Sequence, residues 1–522
     1  MADPRLRALW EQGQEAIRRR DFEAARAAFE PILHVDPSAQ PARLLLSSVL
    51  LAQGHLRAAT GRLEAGVPLL GKDIDSVVRL AQALLRLGET RAARAALDRA
   101  DPRDTRSAAA LLGLAHVKQG LGLHAQALEL MRQAHALGLD SAEFHYFLAL
   151  QLQFNGRLEE ARRELETGLS KGPTLGRAAL ALARLRRWAE GNNHLPAIER
   201  GLAAVEQGSE DHASFEFARY KELEDLGRTD EAWVALERAN AVMRTRLVAH
   251  PRDEKELFDA LIARCTPQWL AQGTQRFDGP MPIFIVGMPR SGTTLLERIL
   301  GRHSQVASVG ELVDFPKQLR QAADCHGHPL LDTPLLQALE RVDFADVGRR
   351  YLEQSQWRAD GRPFYVDKLP PNFQLAGFIR RALPQARIVH MRRAPMDLCF
   401  SNWRAMFGDS YAYSYDLARL AEHHRQYSRL MSHWRRAMPE ALHEVDYAAL
   451  VNDTEAVARR LLAFCGLPWE DGLLDAGSND VPVATLSSAQ VREPIHRRAL
   501  EEWRRYEAQL APLAAALREA GP

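Results

Sequence analysis

Residues 281–300 read MPIFIVGMPRSGTTLLERIL. Pro282 to Val286 is short and rich in β-branched and aromatic residues, which predicts a strand. Gly287 to Gly292 is a turn, and from Thr293 the spacing of Leu295, Leu296, Ile299 and Leu300 predicts a helix. A strand running through a tight turn into a helix presents a phosphate site. The N–H groups of the turn and of the first helical turn lack partners within the helix. Together with the helix dipole and the Ser and Thr hydroxyls they attract a dianionic group.

The spelling narrows the ligand. GMPRSGTT keeps the spacing of the nucleotide-triphosphatase loop G-x-x-x-x-G-K-[ST], but Thr293 stands where the lysine for the β/γ-phosphates belongs. The cation sits earlier, at Arg290. The order P-[KR]-S-G-T-T resembles the 5′-phosphosulfate loop of the sulfotransferases, which bind 3′-phosphoadenosine 5′-phosphosulfate (PAPS). The longer spelling VGxPRSGTTL is most similar to protein-tyrosine sulfotransferases and their bacterial relatives. The resemblance implies that Pro289, Arg290, Ser291, Gly292, Thr293 and Thr294 bind the cofactor, with Arg290 also acting in catalysis. The competing reading is a structural βα turn that uses glycine for geometry alone.

Five later stretches extend the resemblance across 280–510. In ARIVHMRRAPMDLCFSNW a strand runs into R-x-x-x-D-x-x-x-S, which matches the family's 3′-phosphate motif at Arg393, Asp397 and Ser401. Arg393 offers a planar fork to phosphate and Ser401 a hydroxyl, Asp397 is expected to orient the loop, and Arg392 leaves a second register open. VASVGELVDFP places Glu311 where the tyrosine-specific enzymes carry a catalytic glutamate, although Leu312 stands where they usually have a second acid. A base is needed because the acceptor hydroxyl loses its proton as the new S–O bond forms. Glu311 is the expected base and His303 its rival, while His303 also resembles the family's structural histidine. YVDKLPPNF puts Lys368 after a strand, resembling the lysine beside the phosphosulfate, with Asn372 near the same cleft. In the tail, HEVDYAAL resembles the stretch whose tyrosine, here Tyr447, lies near the adenine. LSSAQVREP resembles the segment that closes over the cofactor, with Ser487, Ser488 and Arg492 as candidates.

The N-terminal half carries an internal repeat. Ala25, Ala59, Ala93, Ala127 and Ala161 are each 34 residues apart, and four residues after each stands Phe29, Leu63, Leu97, Met131 or Leu165. Gly54, Gly88, Gly122 and Gly156 precede four of those alanines by five residues, and Arg20 holds the first unit's position. Small residues allow close helix packing, the larger one fills the groove, and glycine ends the first helix. A 34-residue helix-turn-helix period resembles the tetratricopeptide repeat, and Pro37 and Pro173 match its repeat-ending proline. A sixth unit around Trp188 to Gln207 is degenerate, and a seventh returns with Gly227, Ala232 and Leu236. Such an array could recruit a protein or peptide, or serve as a homodimerisation arm.

The 522 residues allow two to four domains, and the net charge of +1 gives no case for nucleic-acid or membrane attraction. Only 7 lysines stand against 61 arginines, so a lysine at 368 is informative. Charges occupy the N-terminus where a signal peptide needs an apolar core, and no run approaches a membrane span. Four widely spaced cysteines lack metal-ligand spacing, which with the rest points to a cytoplasmic protein with free thiols. Short apolar runs at 283–286, 364–366, 387–391 and 443–445 alternate with helical segments and predict a parallel sheet.

The expectation is therefore an α plus α/β chain. An all-α tetratricopeptide solenoid (1–245) and a helical connector (246–279) precede a P-loop-type α/β sulfotransferase domain with a central parallel sheet (280–522). PAPS is the expected co-substrate and PAP, adenosine 3′,5′-bisphosphate, the product, with no metal. The acceptor hydroxyl is expected on a tyrosine or other residue of a protein or peptide. A P-loop kinase and a catalytically inactive PAP-binding scaffold are the alternatives.

Overall fold

A computed structural model describes residues 3–247, 254–272, 275–327, 331–474 and 495–519. Residues 4–246 stack as antiparallel helical pairs, from Pro4–Arg18 with Phe22–Val35 to Glu210–Asp225 with Thr229–Arg246. The repeating alanines, with Ala232 in the last pair, all lie on the second helix of their pairs with no exposed surface. The turns between paired helices need a left-handed residue. Gly54, Gly88, Gly122 and Gly156 supply it at φ of 79 to 91°, and Arg20 adopts φ 59° in the first pair. For a residue with a Cβ that conformation costs about 1–2 kcal/mol.

The second half is built on five parallel strands: β1 (Met281–Val286), β2 (Val306–Ser308), β3 (Phe364–Asp367), β4 (Arg387–Arg392) and β5 (Leu442–Asp446), in the order β2-β3-β1-β4-β5. The sequence reading lacks β2, a three-residue edge strand too short to show periodicity. Ile283 to Val286 are wholly buried, as a central strand covered on both faces requires. The chain moves to one side of β1 for β2 and β3 and to the other for β4 and β5. The crevice at the carboxyl end of β1 is thus the topological switch point where α/β sheets bind ligands.

The two halves share a core. One apolar cluster runs from Phe215 and Trp233 of the last helical pair to Phe284 of β1 and Trp434. The connector takes part: helix Glu254–Arg264 sets Phe258 6.2 Å, ring to ring, from Phe373, and Trp269 packs 5.3 Å from Phe344. Polar contacts join the second and third pairs to helices Asp314–Ala323 and Phe344–Ser355. Arg57 donates to the carbonyls of Gln321 and Ala322, and Thr90 donates to the carbonyl of Gln354.

Glu89 is the titratable member of that second contact. It is 1% exposed, and its carboxylate accepts from Arg350 Nη2 at 2.8 Å and Gln354 Nε2 at 2.8 Å, with the Glu64 carboxylate nearby. Burial raises its pKa to about 7 against the pull of Arg350, and Glu64 adds to the rise. A folded pKa above the unfolded value gives stabilisation fully present below about pH 4.3 and lost as pH rises through 7. Wild type is therefore expected to lose up to about 3 kcal/mol more than Glu89→Gln between pH 5 and pH 8. Urea midpoints at the two pH values check this, and equal losses in both proteins would contradict it.

Candidate active site

At the end of β1 the chain makes a loop that only particular residues can form. Gly287 and Gly292 have φ of 154° and 107°, and a Cβ on Gly292 would meet the Tyr447 ring at 2.7 Å. Arg290 also takes a left-handed conformation, φ 66°, so strain is accepted where a cationic side chain is kept. Helix Thr293–Leu300 begins immediately after. The Ser291 hydroxyl is buried and has no hydrogen-bond partner among the described residues, so its donor is open to a polar ligand.

The neighbouring strand closes the loop from one side. Arg393, just past β4, donates from Nη1 to the carbonyl of Arg290 at 3.0 Å, and its guanidinium stacks 4.8 Å over the Tyr447 ring. Asn402 Nδ2 donates to the carbonyl of Pro289 at 2.8 Å, and Ser401 is buried beside it on helix Pro395–Trp403. Arg392 points elsewhere: its side chain is 57% exposed and pairs with Asp446 at 3.2 Å. Asp397 accepts the backbone N–H of Glu501, and burial raises its carboxyl.

Three guanidinium groups and the Glu502 carboxylate act on Arg290. Burial lowers its pKa to about 9, and Arg404, Arg184 and Arg393 add to the lowering. Arg184 comes from the solenoid helix Gly176–Arg184, and its own pKa is pushed down by burial to about 10. Like charges gathered away from water favour an anion between them.

On the other side of β1 stands a carboxylate-lysine-carboxylate group. Lys368 follows β3, its side chain has no exposed surface, and Nζ lies 2.5 Å from Glu311 Oε1 and 3.7 Å from Glu297 Oε2. Glu297, on the loop helix, accepts from Ser308 Oγ at 2.8 Å and the Gly310 N–H at 3.0 Å, and burial raises its pKa. The side chain of Glu311 is 40% exposed and that of Glu297 only 7%, so of the two carboxylates Glu311 is the one an acceptor can reach. The Asn372 amide nitrogen is buried nearby in the chain, without a hydrogen bond among the described residues.

His303 is placed differently. It is 1% exposed at the far end of the loop helix, donates from Nε2 to the Pro468 carbonyl at 2.9 Å, and accepts the Gln305 N–H on Nδ1 at 3.1 Å. Both ring nitrogens are engaged in holding structure. Ser487, Ser488 and Arg492 lie outside the described residues. The sequence reading lacked Glu297, Asn402, Arg404 and Arg184. A signal existed for the first: Thr293, Leu296, Glu297 and Leu300 share one helical face, and an acid on an apolar face needs a buried partner. Among the described residues no three His, Cys, Asp or Glu side chains are grouped to hold a metal ion, and no helix is long and apolar enough to cross a membrane.

Residues 282–471 match the sulfotransferase family model. The chain is 31% identical over 373 residues to an uncharacterized protein of Aquifex aeolicus, covering 70% of this chain and 48% of that one. It is 26% identical over 264 residues to the protein-tyrosine sulfotransferase of Drosophila melanogaster, covering 45% of this chain and 50% of that one. The chain spans about half the length of these two curated relatives. Among solved structures, a tetratricopeptide repeat protein from Parabacteroides merdae is similar at 16% identity and a TM-score of 0.33, covering 46% of this chain and 94% of that one. Residues 282–471 thus carry the match to the sulfotransferase family, and the stacked helical pairs precede them.

Proposed function

We propose that the protein transfers a sulfuryl group from PAPS to an acceptor hydroxyl, in the crevice of its sulfotransferase-family domain. The observation that carries this reading is the convergence of Arg290 and Arg393 across adjacent strands onto one loop whose Ser291 hydroxyl has no partner among the described residues. A donor with a phosphate at each end of a ribose fits two cationic sites at neighbouring strand ends better than a single triphosphate does. The residues present fit that group. Arg290, Ser291, Thr293, Thr294 and the amides of Arg290 and of Gly292 to Thr294 take the 5′-phosphosulfate. Arg393 and Ser401 take the 3′-phosphate, and Tyr447 offers a ring face to the base. Ser487, Ser488 and Arg492, outside the described residues, are proposed as further cofactor-binding residues.

PAPS, when bound, supplies a sulfuryl group attached through oxygen to a good phosphate leaving group. Glu311 accepts the proton from the acceptor hydroxyl as the new S–O bond forms and the bond to the phosphate oxygen breaks. Lys368 stabilises the charge left on that oxygen. The arrangement helps it do so. While Glu311 is ionised it holds the ammonium at 2.5 Å, and once Glu311 is protonated that attraction falls away. Lys368 then keeps only the buried Glu297 as counter-charge and is available to the leaving group. The acceptor proposed is a tyrosine or other hydroxyl of a polypeptide that the solenoid recruits, which raises its effective concentration at Glu311.

Calorimetric titration with PAP and with ATP tests the donor. PAP is expected to bind at least about tenfold more tightly, because Thr293 replaces the lysine that a triphosphate needs. Tighter binding of ATP, with Mg²⁺ present, would overturn the reading in favour of a kinase. Incubating the protein with a lysate and isotopically labelled PAPS, followed by mass spectrometry, tests turnover. Binding of PAP without labelling of any acceptor would favour a scaffold.

A further inference from the structure

The residues from 499 to 506 touch the phosphate-binding side of the site with one end and the solenoid with the other. Ala499 offers its carbonyl to Arg393 Nη2 at 2.5 Å, and the Glu501 N–H goes to Asp397. Glu501 is itself held left-handed at φ 56°, a conformation that persists only when its surroundings impose it. Next to it, Glu502 binds Arg404 Nη2 at 2.5 Å. Arg404, at the end of helix Pro395–Trp403, turns its other nitrogen to Glu224 of the solenoid, at 3.6 Å. Glu224 is oriented in turn by Tyr220, whose hydroxyl donates to it at 2.8 Å. A ring contact runs parallel to this chain of charges. Tyr506, 1% exposed, lies 5.3 Å from Trp233 of the last helical pair and 5.5 Å from Phe400. Asn240 of the same pair donates to the carbonyl of Trp403 at 3.2 Å.

We propose that the last solenoid repeat positions the 3′-phosphate arginine of the donor site, through Glu224, Arg404 and Glu502, and so sets donor affinity. This rests on the PAPS reading above. Glu224 and Arg404 are positioning residues. The guanidinium of Arg404 binds both the solenoid and the 499–506 segment, and that segment reaches Arg393. The solenoid is on this account part of the donor site, in addition to any part it has in choosing an acceptor. An Arg404 held by two carboxylates resists rotation, whereas one held only by Glu502 leaves residues 499–502 free to shift away from Arg393.

The test is a double-mutant cycle on the full chain, with PAP affinity read by calorimetry. Glu224→Gln keeps the size of the side chain and its ability to accept from Tyr220 but removes the charge. It is expected to weaken PAP binding about five- to tenfold, and to raise the KM for PAPS with little change in kcat. Combined with Arg393→Ala, it is expected to cost nothing further, because the group through which it acts has gone. Arg404→Lys keeps a charge that reaches one carboxylate at a time and is expected to fall between wild type and Arg404→Met. Additive losses in the cycle, or a Glu224→Gln protein with wild-type affinity for PAP, overturn the inference and leave the sulfotransferase reading standing. A wild-type protein that binds no PAP overturns that reading and this inference with it.

Discussion

Glu311→Gln is expected to lower turnover by about 10² to 10⁴ while leaving PAP affinity close to wild type. The amide keeps the shape of the side chain and loses the ability to take a proton. Lys368 sits between Glu311 and Glu297, so the substitution also removes one of its two counter-charges. That loss acts on the ammonium and not on the phosphate-binding side, which lies across β1. Rates measured at saturating PAPS, with PAP affinity measured separately, distinguish the two effects. His303→Ala is the comparison. Its ring bonds the Pro468 carbonyl and the Gln305 N–H, so its loss is expected to lower stability and to leave the chemical step intact. A large turnover loss in His303→Ala together with an active Glu311→Gln protein would show that the wrong base has been named.

Arg290→Ala and Arg393→Ala are each expected to weaken PAP binding by roughly 1.5 to 3 kcal/mol, or about 10- to 150-fold. Each removes a charge-assisted contact to a phosphate. Their effects on folding should differ. Arg290 is half-buried, with Arg404, Arg184 and Arg393 opposing its charge and Glu502 favouring it, so its loss is expected to leave the melting temperature close to wild type. Arg393 bonds the carbonyls of Arg290 and Ala499, so its loss also loosens the loop and the 499–506 segment. Some loss of stability is expected there. Wild-type PAP affinity in both variants would remove the basis for placing the donor in this crevice.

The role of the solenoid has to be tested with side-chain substitutions. A chain beginning near residue 250 would lack Phe215 and Trp233, which belong to the same apolar cluster as Phe284 and Trp434. It would also lack Glu224, the partner of Arg404. Loss of activity in such a fragment would report exposed core and a loosened donor site as much as a lost acceptor.

Much of this protein is legible in short stretches of sequence. A strand, a turn and a helix within twenty residues define the proposed phosphate loop, because helix termini and glycine-bearing turns are local structures whose free amides follow from the chain itself. The 34-residue spacing of Ala25 to Ala161 reveals the helical pairs for a similar reason: each pair buries the same positions against its neighbours, and the need recurs at a constant interval. The residue types at Arg290, Glu311, Lys368 and Arg393 could be picked out from motifs alone. Their relations could not. That Arg393 enters the site and Arg392 leaves it depends on which way β4 faces at its end. That Glu311 is reachable while Glu297 is sealed depends on how β2, β3 and the loop helix close around Lys368. The pairing of Glu224 with Arg404 joins residues on different domains. Such contacts arise from the order of strands in a parallel sheet and from burial between elements distant in the chain. They have no period and no fixed spacing, so only the tertiary structure decides them.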